Sequence, residues 1–256
     1  MNRTRRPGRT PVEPLVPPGR DGRQLAALAG LLADGTRASV CLALLDGRAW
    51  TAGELARAVG VTPATVSTHL DKLVAGELLT EVRQGRHRYV RLAGPETAQL
   101  VEDLSVRAGP PPRPHSLRSA SAGAAMARAR TCYDHLAGAL GVALTDALLE
   151  RGLLQQSTGF AVTEAGVAWF AELGMDLSVR PGNRRPMARS CLDWTERRPH
   201  LAGTAGAALC AYALRSGWCE RVGSRRALRV TNRGRDAMAE LFGIDAGTVA
   251  AAGEPA

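Results

Sequence analysis

Aromatic side chains are scarce in this chain, 4% of 256 residues, and lysine is nearly absent: of 33 basic residues only Lys72 is not an arginine. With so few rings, the core has to be built from Leu, Ala and Val, which favours small helical domains. Five cysteines (Cys41, Cys132, Cys191, Cys210 and Cys219) form an odd, sparse set rather than a disulfide framework and point to reduced thiols in a cytoplasmic protein. No apolar run approaches the roughly 18 residues of a membrane span, so no membrane partner is expected. Met1 to Arg23 carries prolines and arginines but not the apolar core of a secretory signal. There is no Gly-rich phosphate loop, no H-E-x-x-H and no G-x-S-x-G, so the chain does not read as an enzyme.

What is present is a 45% hydrophobic, 22% charged chain with a formal net charge of +9. Arginine presents a planar fork that suits phosphate and guanine edges, which makes nucleic acid the first partner to consider. A G+C-rich genome would bias composition the same way. Residues 1–22, with Arg3, Arg5, Arg6, Arg9 and five prolines, read as a disordered basic arm. Residues 109–123, GPPPRPHSLRSASAG, read as a linker, and 247–256 as a disordered tail. Between them lie two folded units, 23–108 and 124–246. The expected class is mainly α with small β-hairpins.

The first unit reads as four helices, a hairpin and a last helix. Leu25 to Leu32 is apolar throughout, and Val40, Leu44 and Leu45 share one face of the next helix. Thr51-Ala52-Gly53-Glu54 is a capping box, and Gly60 stops the helix it starts. Thr62-Pro63 restarts one, as an N-cap followed by proline at the first helical position. Val66, Leu70 and Leu73 then face inward, Gly76 ends the helix, and Thr65, Thr68, His69 and Lys72 are left on the opposite face. Residues 78–83 and 88–92 read as strands joined by Gln84-Gly85-Arg86-His87. Two short helices around a glycine turn form a helix-turn-helix, whose second helix enters the major groove, and the basic hairpin is a wing. Thr62, Thr65, Ser67, Thr68, His69 and Lys72 are the candidates for the groove. Arg83, Arg86, His87 and Arg88 are the candidates for phosphate.

The stretch VTPATVSTHLDKLVAGELLTEVRQGRHRYVRL resembles the ArsR/SmtB-type winged-helix repressors. The likeness lies in Val66-Ser67-Thr68-His69-Leu70, in the Gly76-Glu77-Leu78-Leu79 exit and in the Gly85-Arg86-His87-Arg88-Tyr89 wing, and it covers residues 23–108. It implies a homodimer joined through the helices at Leu25–Leu32 and Glu96–Val106. Such a dimer binds a palindromic double-stranded operator and is released by an effector. Metal-sensing members carry a cysteine pair in the helix entering the motif. Here that stretch is Ala49 to Leu55, without cysteine, and Glu96 to Val106 lacks the family's His/Asp ligands. Metal sensing is therefore not carried over to this unit, and Cys41 reads as a small core side chain.

The second unit echoes itself. Arg130-Thr-Cys132-Tyr-Asp134 matches Arg189-Ser-Cys191-Leu-Asp193, and His135-Leu-Ala-Gly138 matches His200-Leu-Ala-Gly203. Val162-Thr163 and Leu173-Gly-Met-Asp176 recur as Val230-Thr231 and Phe242-Gly-Ile-Asp245, with residues inserted near 195–199. Each copy reads as helix, helix ending at glycine, hairpin, helix: a winged-helix-like repeat. Three roles stay open for the pair: a cleft that binds a small-molecule effector, a second DNA surface using Arg221, Arg225, Arg226 and Arg229, or a purely structural role.

Cys132 and His135, placed on a helix at i and i+3, with Cys191, Trp194 and His200, are the candidate effector residues. Thiolate and imidazole suit zinc, copper or haem iron, so Cys132, His135, Cys191 and His200 are also candidate metal ligands. A thiol redox switch and a plain packing motif, with the histidines bonded to Asp134 and Asp193, are the other readings. Tyr133, Trp169, Trp194 and Trp218 either line a ligand pocket or fill the core. The expected function is a transcriptional regulator, most simply a repressor. The alternatives are a nucleoid-type DNA binder and a cysteine enzyme built on Cys132, Asp134 and His135.

Overall fold

A computed structural model describes residues 22–85, 87–109, 116–178, 185–222 and 226–244. The basic arm (apart from Gly22), the tail and Arg86 lie outside them.

The N-terminal domain starts with α1 (Gly22–Leu32) and α2 (Gly35–Ala43), followed by a 3-10 turn at Leu44–Asp46. Next come β1 (Trp50–Thr51), α3 (Ala52–Val59) and α4 (Pro63–Ala75). The wing strands β2 (Leu79–Gln84) and β3 (His87–Leu92) lead into α5 (Pro95–Arg107). The sheet order is β1-β3-β2, so a two-residue strand not foreseen in the sequence closes the wing on one edge. The hairpin is also tighter than expected, with Gln84 pairing directly with His87.

Thr51 and Glu54 form the capping box in both directions, and Gly60 ends α3 in the left-handed conformation. Val40, Leu44, Leu45, Leu55, Val66, Leu70 and Leu73 make the core with Cys41, all at most 1% exposed. In contrast α1 buries no residue and leaves Leu25 70% exposed. No single helix among the described residues is long and apolar enough to cross a membrane.

Helix α6 (Leu117–Arg128) begins inside the segment expected to be linker, where the run Ala-Ser-Ala-Gly-Ala-Ala-Met-Ala favours a helix. The C-terminal domain then runs twice through hairpin, helix, hairpin, helix. The first pass is β4 (Arg130–Cys132), β5 (His135–Ala137), α7 (Gly138–Glu150), β6 (Leu154–Gln156), β7 (Phe160–Val162) and α8 (Glu164–Glu172). The second is β8 (Arg189–Leu192), β9 (Pro199–Ala202), α9 (Gly203–Arg215), β10 (Cys219–Arg221), β11 (Leu228–Val230) and α10 (Asn232–Phe242).

Each pass therefore opens on a hairpin where a helix was expected. Tyr133 takes a left-handed φ of 57° and Gly138 a φ of 76°. A Cβ on Gly138 would lie 2.5 Å from the Ala127 carbonyl oxygen, so the chain reverses there before the helix starts. Trp169 and Trp218 settle as core, Trp169 meeting Phe170 and Phe242 edge-on and Trp218 meeting Tyr212 and Phe242, whereas Tyr133 lines a cavity.

Candidate DNA interface and a buried Cys/His cluster

Helix α4 presents Thr62, Thr65, Thr68 and Lys72 to solvent, with Ser67 half-buried beside them. Thr62 caps the helix by accepting from the Thr65 amide (3.2 Å), while the Ser67 and Thr68 hydroxyls donate to the Pro63 and Ala64 carbonyls. Two residues expected on this surface are engaged elsewhere. His69 is turned toward α2, its Nδ1 3.6 Å from Asp34, the residue that caps α2 by accepting from the Arg37 amide. Arg88 bridges Asp71 of α4 (2.7 Å) and Glu81 of β2 (2.8 Å), tying the wing to the helix. Arg83 and His87 remain exposed on the wing. Arg226, expected on a second basic surface, points inward: its Nη2 donates to Glu102 of α5 and its Nε to the Thr131 carbonyl (2.8 Å).

In the C-terminal domain Cys132 pairs directly with His135 across β4–β5, and Cys191 with His200 across β8–β9. Directly opposed residues project from one face of a hairpin, so each hairpin offers one thiol and one imidazole side by side. The two hairpins meet with these faces together. The Cys132 and Cys191 sulfurs are 3.9 Å apart, and the His135 and His200 rings stack at 5.1 Å. The close approach needs glycine on each following helix. A Cβ on Gly206 would meet the Leu201 carbonyl at 2.4 Å and His135 Cβ at 3.2 Å, and Gly141 takes the same place beneath His200. The helical i, i+3 placement expected of Cys132 and His135 is thus replaced by a cross-strand pair, and it is the contact between the two hairpins that brings the second pair to them.

Carboxylates back both imidazoles. Asp134 lies 3.3 Å from His135 Nδ1 and is clamped by Arg185; Asp193 lies 3.4 Å from His200 Nδ1. Asp193 also accepts from Arg130 (2.9 Å), the Gly138 amide (2.7 Å) and Thr195, which binds the two copies to each other. Burial would raise the Asp134 carboxyl, but His135 and Arg185 outweigh it and hold the pKa at about 2. For Asp193 burial is likewise overcome, by Arg130, Thr195 and the Gly138 amide, and the group sits far below the usual carboxylate range. The hydrogen bond with Cys191, together with burial, pushes the Cys132 thiol well above its ordinary value, the reverse of what a nucleophile requires.

Trp194, expected with the ligand residues, instead carries the Arg130 guanidinium on its face at 4.7 Å. A cavity beside the cluster is lined by Cys132, Asp134, His135 and Arg185 on one side and by Gln99 and Glu102 of α5 on the other. That α5 would form part of this wall was not legible in the sequence. The signal available was Glu102 falling on the same face as Ala98 and Val101, a carboxylate within the inward stripe of the helix.

Residues 32–82 match the family described as helix-turn-helix domain. The HTH-type transcriptional regulator YdfF of Bacillus subtilis is 40% identical over 221 residues, spanning 86% of this chain and 97% of that protein. So long a match cannot fit within the N-terminal domain, and most of the second domain is shared with that relative. The HTH-type transcriptional regulator CmtR of Mycobacterium tuberculosis is 38% identical over 80 residues, 31% of this chain and 67% of the relative. Among solved structures, the homodimeric winged helix-turn-helix DNA-binding domain of Mb0332 from Mycobacterium bovis is 30% identical. It covers 35% of this chain and 88% of that one, with a TM-score of 0.31. The chain belongs to the HTH-type, DNA-binding transcriptional regulators, and its N-terminal domain carries the helix pair and two-stranded wing of a winged helix-turn-helix.

Proposed function

We propose that the protein is a repressor that occupies a palindromic operator as a homodimer and is modulated by an effector sensed in its C-terminal domain. The observation that carries this reading is the exposed hydroxyl and lysine face of α4, supported rigidly from behind by Val66, Leu70 and Leu73. In this reading Thr65 and Thr68 discriminate base edges, with Thr62, Ser67 and Lys72 beside them. Arg83, His87 and, by its place in the sequence, Arg86 supply phosphate affinity. Self-association is supported by α1, which packs Leu28, Leu31 and Leu32 on the core yet has no fully buried residue, and by Leu104 of α5, 44% exposed. Sensing in the second domain is supported by its joint with the first: Arg226 is held by Glu102 of α5, and the Tyr133 amide donates to the Leu45 carbonyl (3.0 Å).

The test is protection of promoter DNA by the full-length protein, with wild type and Thr68→Ala compared. The expected result is a discrete protected inverted repeat, its half-sites about 34 Å apart. Thr68→Ala should lower operator affinity about tenfold while leaving affinity for unrelated DNA unchanged. Protection spread evenly over any sequence would replace the repressor with a nucleoid-type binder.

A further inference from the structure

We infer that Cys132, His135, Cys191 and His200 form a closed four-coordinate site for one thiophilic d10 cation of the zinc(II) type, shared between the two copies of the C-terminal repeat. Their candidate ligand atoms all lie within 4.8 Å of one another, and all four residues are buried, at 2%, 5%, 1% and 1% exposure. Two sulfurs bound to zinc at about 2.3 Å in a tetrahedron are separated by about 3.8 Å. Here they are 3.9 Å apart before any adjustment. A disulfide demands about 2 Å instead, and hence movement of one hairpin toward the other.

The nitrogens point the same way. His135 Nε2, His200 Nδ1 and His200 Nε2 are buried without a hydrogen-bond partner. Buried imidazole nitrogens rarely stay unsatisfied; His200 Nδ1 has the Asp193 carboxylate at 3.4 Å, and the two Nε2 atoms are left needing an occupant. Asp134 and Asp193 face the Nδ1 edges at 3.3 and 3.4 Å, which leaves Nε2 of each ring as the ligand atom. A carboxylate behind each ligating histidine is how such rings are oriented and their basicity raised. Arg185 and Arg130 hold these carboxylates in turn.

Charge also fits. On binding, each thiol releases its proton to solvent, and two thiolates neutralise a divalent cation, so the completed site is neutral and can be buried without a counter-charge. Four protein ligands leave no open position for substrate, which makes the site structural or regulatory rather than catalytic. The adjoining cavity between Arg185, Gln99 and Glu102 gives the ion a way in. The inference rests on the sensing role of this domain only for its regulatory meaning; the site itself is read without DNA.

The experiment is titration of the full-length protein, under reductant and without oxygen, with Co2+ followed by Zn2+. One Co2+ per chain should bind, with the intense visible bands of a tetrahedral ion and the near-ultraviolet absorption of cobalt bound to thiolate. One equivalent of Zn2+ should abolish both. Cys191→Ser should lose about half the thiolate absorption and Cys219→Ser, outside the cluster, none. If Cys191→Ser does not fold, the wild-type stoichiometry and spectrum still decide. Weak octahedral bands, a thiolate spectrum intact in Cys191→Ser, or a Cys132–Cys191 disulfide in protein prepared with reductant and zinc would each overturn the site.

Discussion

At the scale of single residues, Arg130 carries an unusual burden. It is fully buried, paired with Asp193 across the two copies, stacked on Trp194 and bonded to the Met126 carbonyl (3.1 Å). Taking both ions out of water is costly, and the pair is tolerated because Asp193 collects further donors from Gly138 and Thr195. Removing one partner leaves the other charged and buried. Arg130→Met should therefore destabilise the protein by about 3–5 kcal/mol, whereas the double variant Arg130→Met/Asp193→Asn should lose less than the sum of the two single changes. Urea unfolding of the three variants measures this; additive losses would mean the pair does not clasp the copies together.

At the scale of elements, the helix-turn-helix is built from local signals strong enough to be read directly. The capping box at Thr51 is the clearest. Thr51→Ala should cost about 1 kcal/mol and lower the melting temperature by about 2–4 °C for a chain of this size. The Thr51 amide and hydroxyl hold the Glu54 carboxyl below its ordinary value, so its share of the cap is present above about pH 4.5 and fades as pH falls below it. Equal melting of variant and wild type at pH 7 would remove the cap from the account. The same local logic located α4, its buried stripe and the wing.

It failed where pairing was long-range. The two residues of β1 have no pattern of their own and exist only because β3 offers an edge. Cys-Tyr-Asp-His follows a helical spacing as well as a hairpin one, and three-residue strands are too short for period-two alternation to decide. The candidate cluster was nevertheless legible residue by residue, because the matched Cys and His positions of the two sequence echoes meet in the fold. Its carboxylate backing was visible in Asp134 and Asp193. The diversion of His69, Arg88, Trp194 and Arg226 was not visible, since each is claimed by a partner distant in the sequence.

At the scale of the whole molecule, the question is how the second domain speaks to the first. Arg226 holds Glu102 of α5 while gripping the Thr131 carbonyl one residue before Cys132, and the Tyr133 amide, one residue after it, holds the Leu45 carbonyl. The strand that supplies Cys132 is thus tied on both sides, to α5 through Arg226 and directly to the 3-10 turn that follows α2. A ligand can shift the operator-binding equilibrium only through contacts that differ between the bound and free geometries, and under the sensing role proposed above these ties are where a movement of β4 would be transmitted. With wild type, occupancy by Zn2+ should change operator affinity about tenfold, equivalent to about 1.4 kcal/mol of coupling. Arg226→Met should keep the metal stoichiometry and the operator affinity of the metal-free protein, yet reduce that ratio toward one. Fluorescence anisotropy of labelled operator, with and without Zn2+, measures both states in the full-length protein. A ratio unchanged in Arg226→Met, with one metal ion still bound per chain, would rule out Arg226 and α5 as the route and leave the Tyr133–Leu45 contact to carry it.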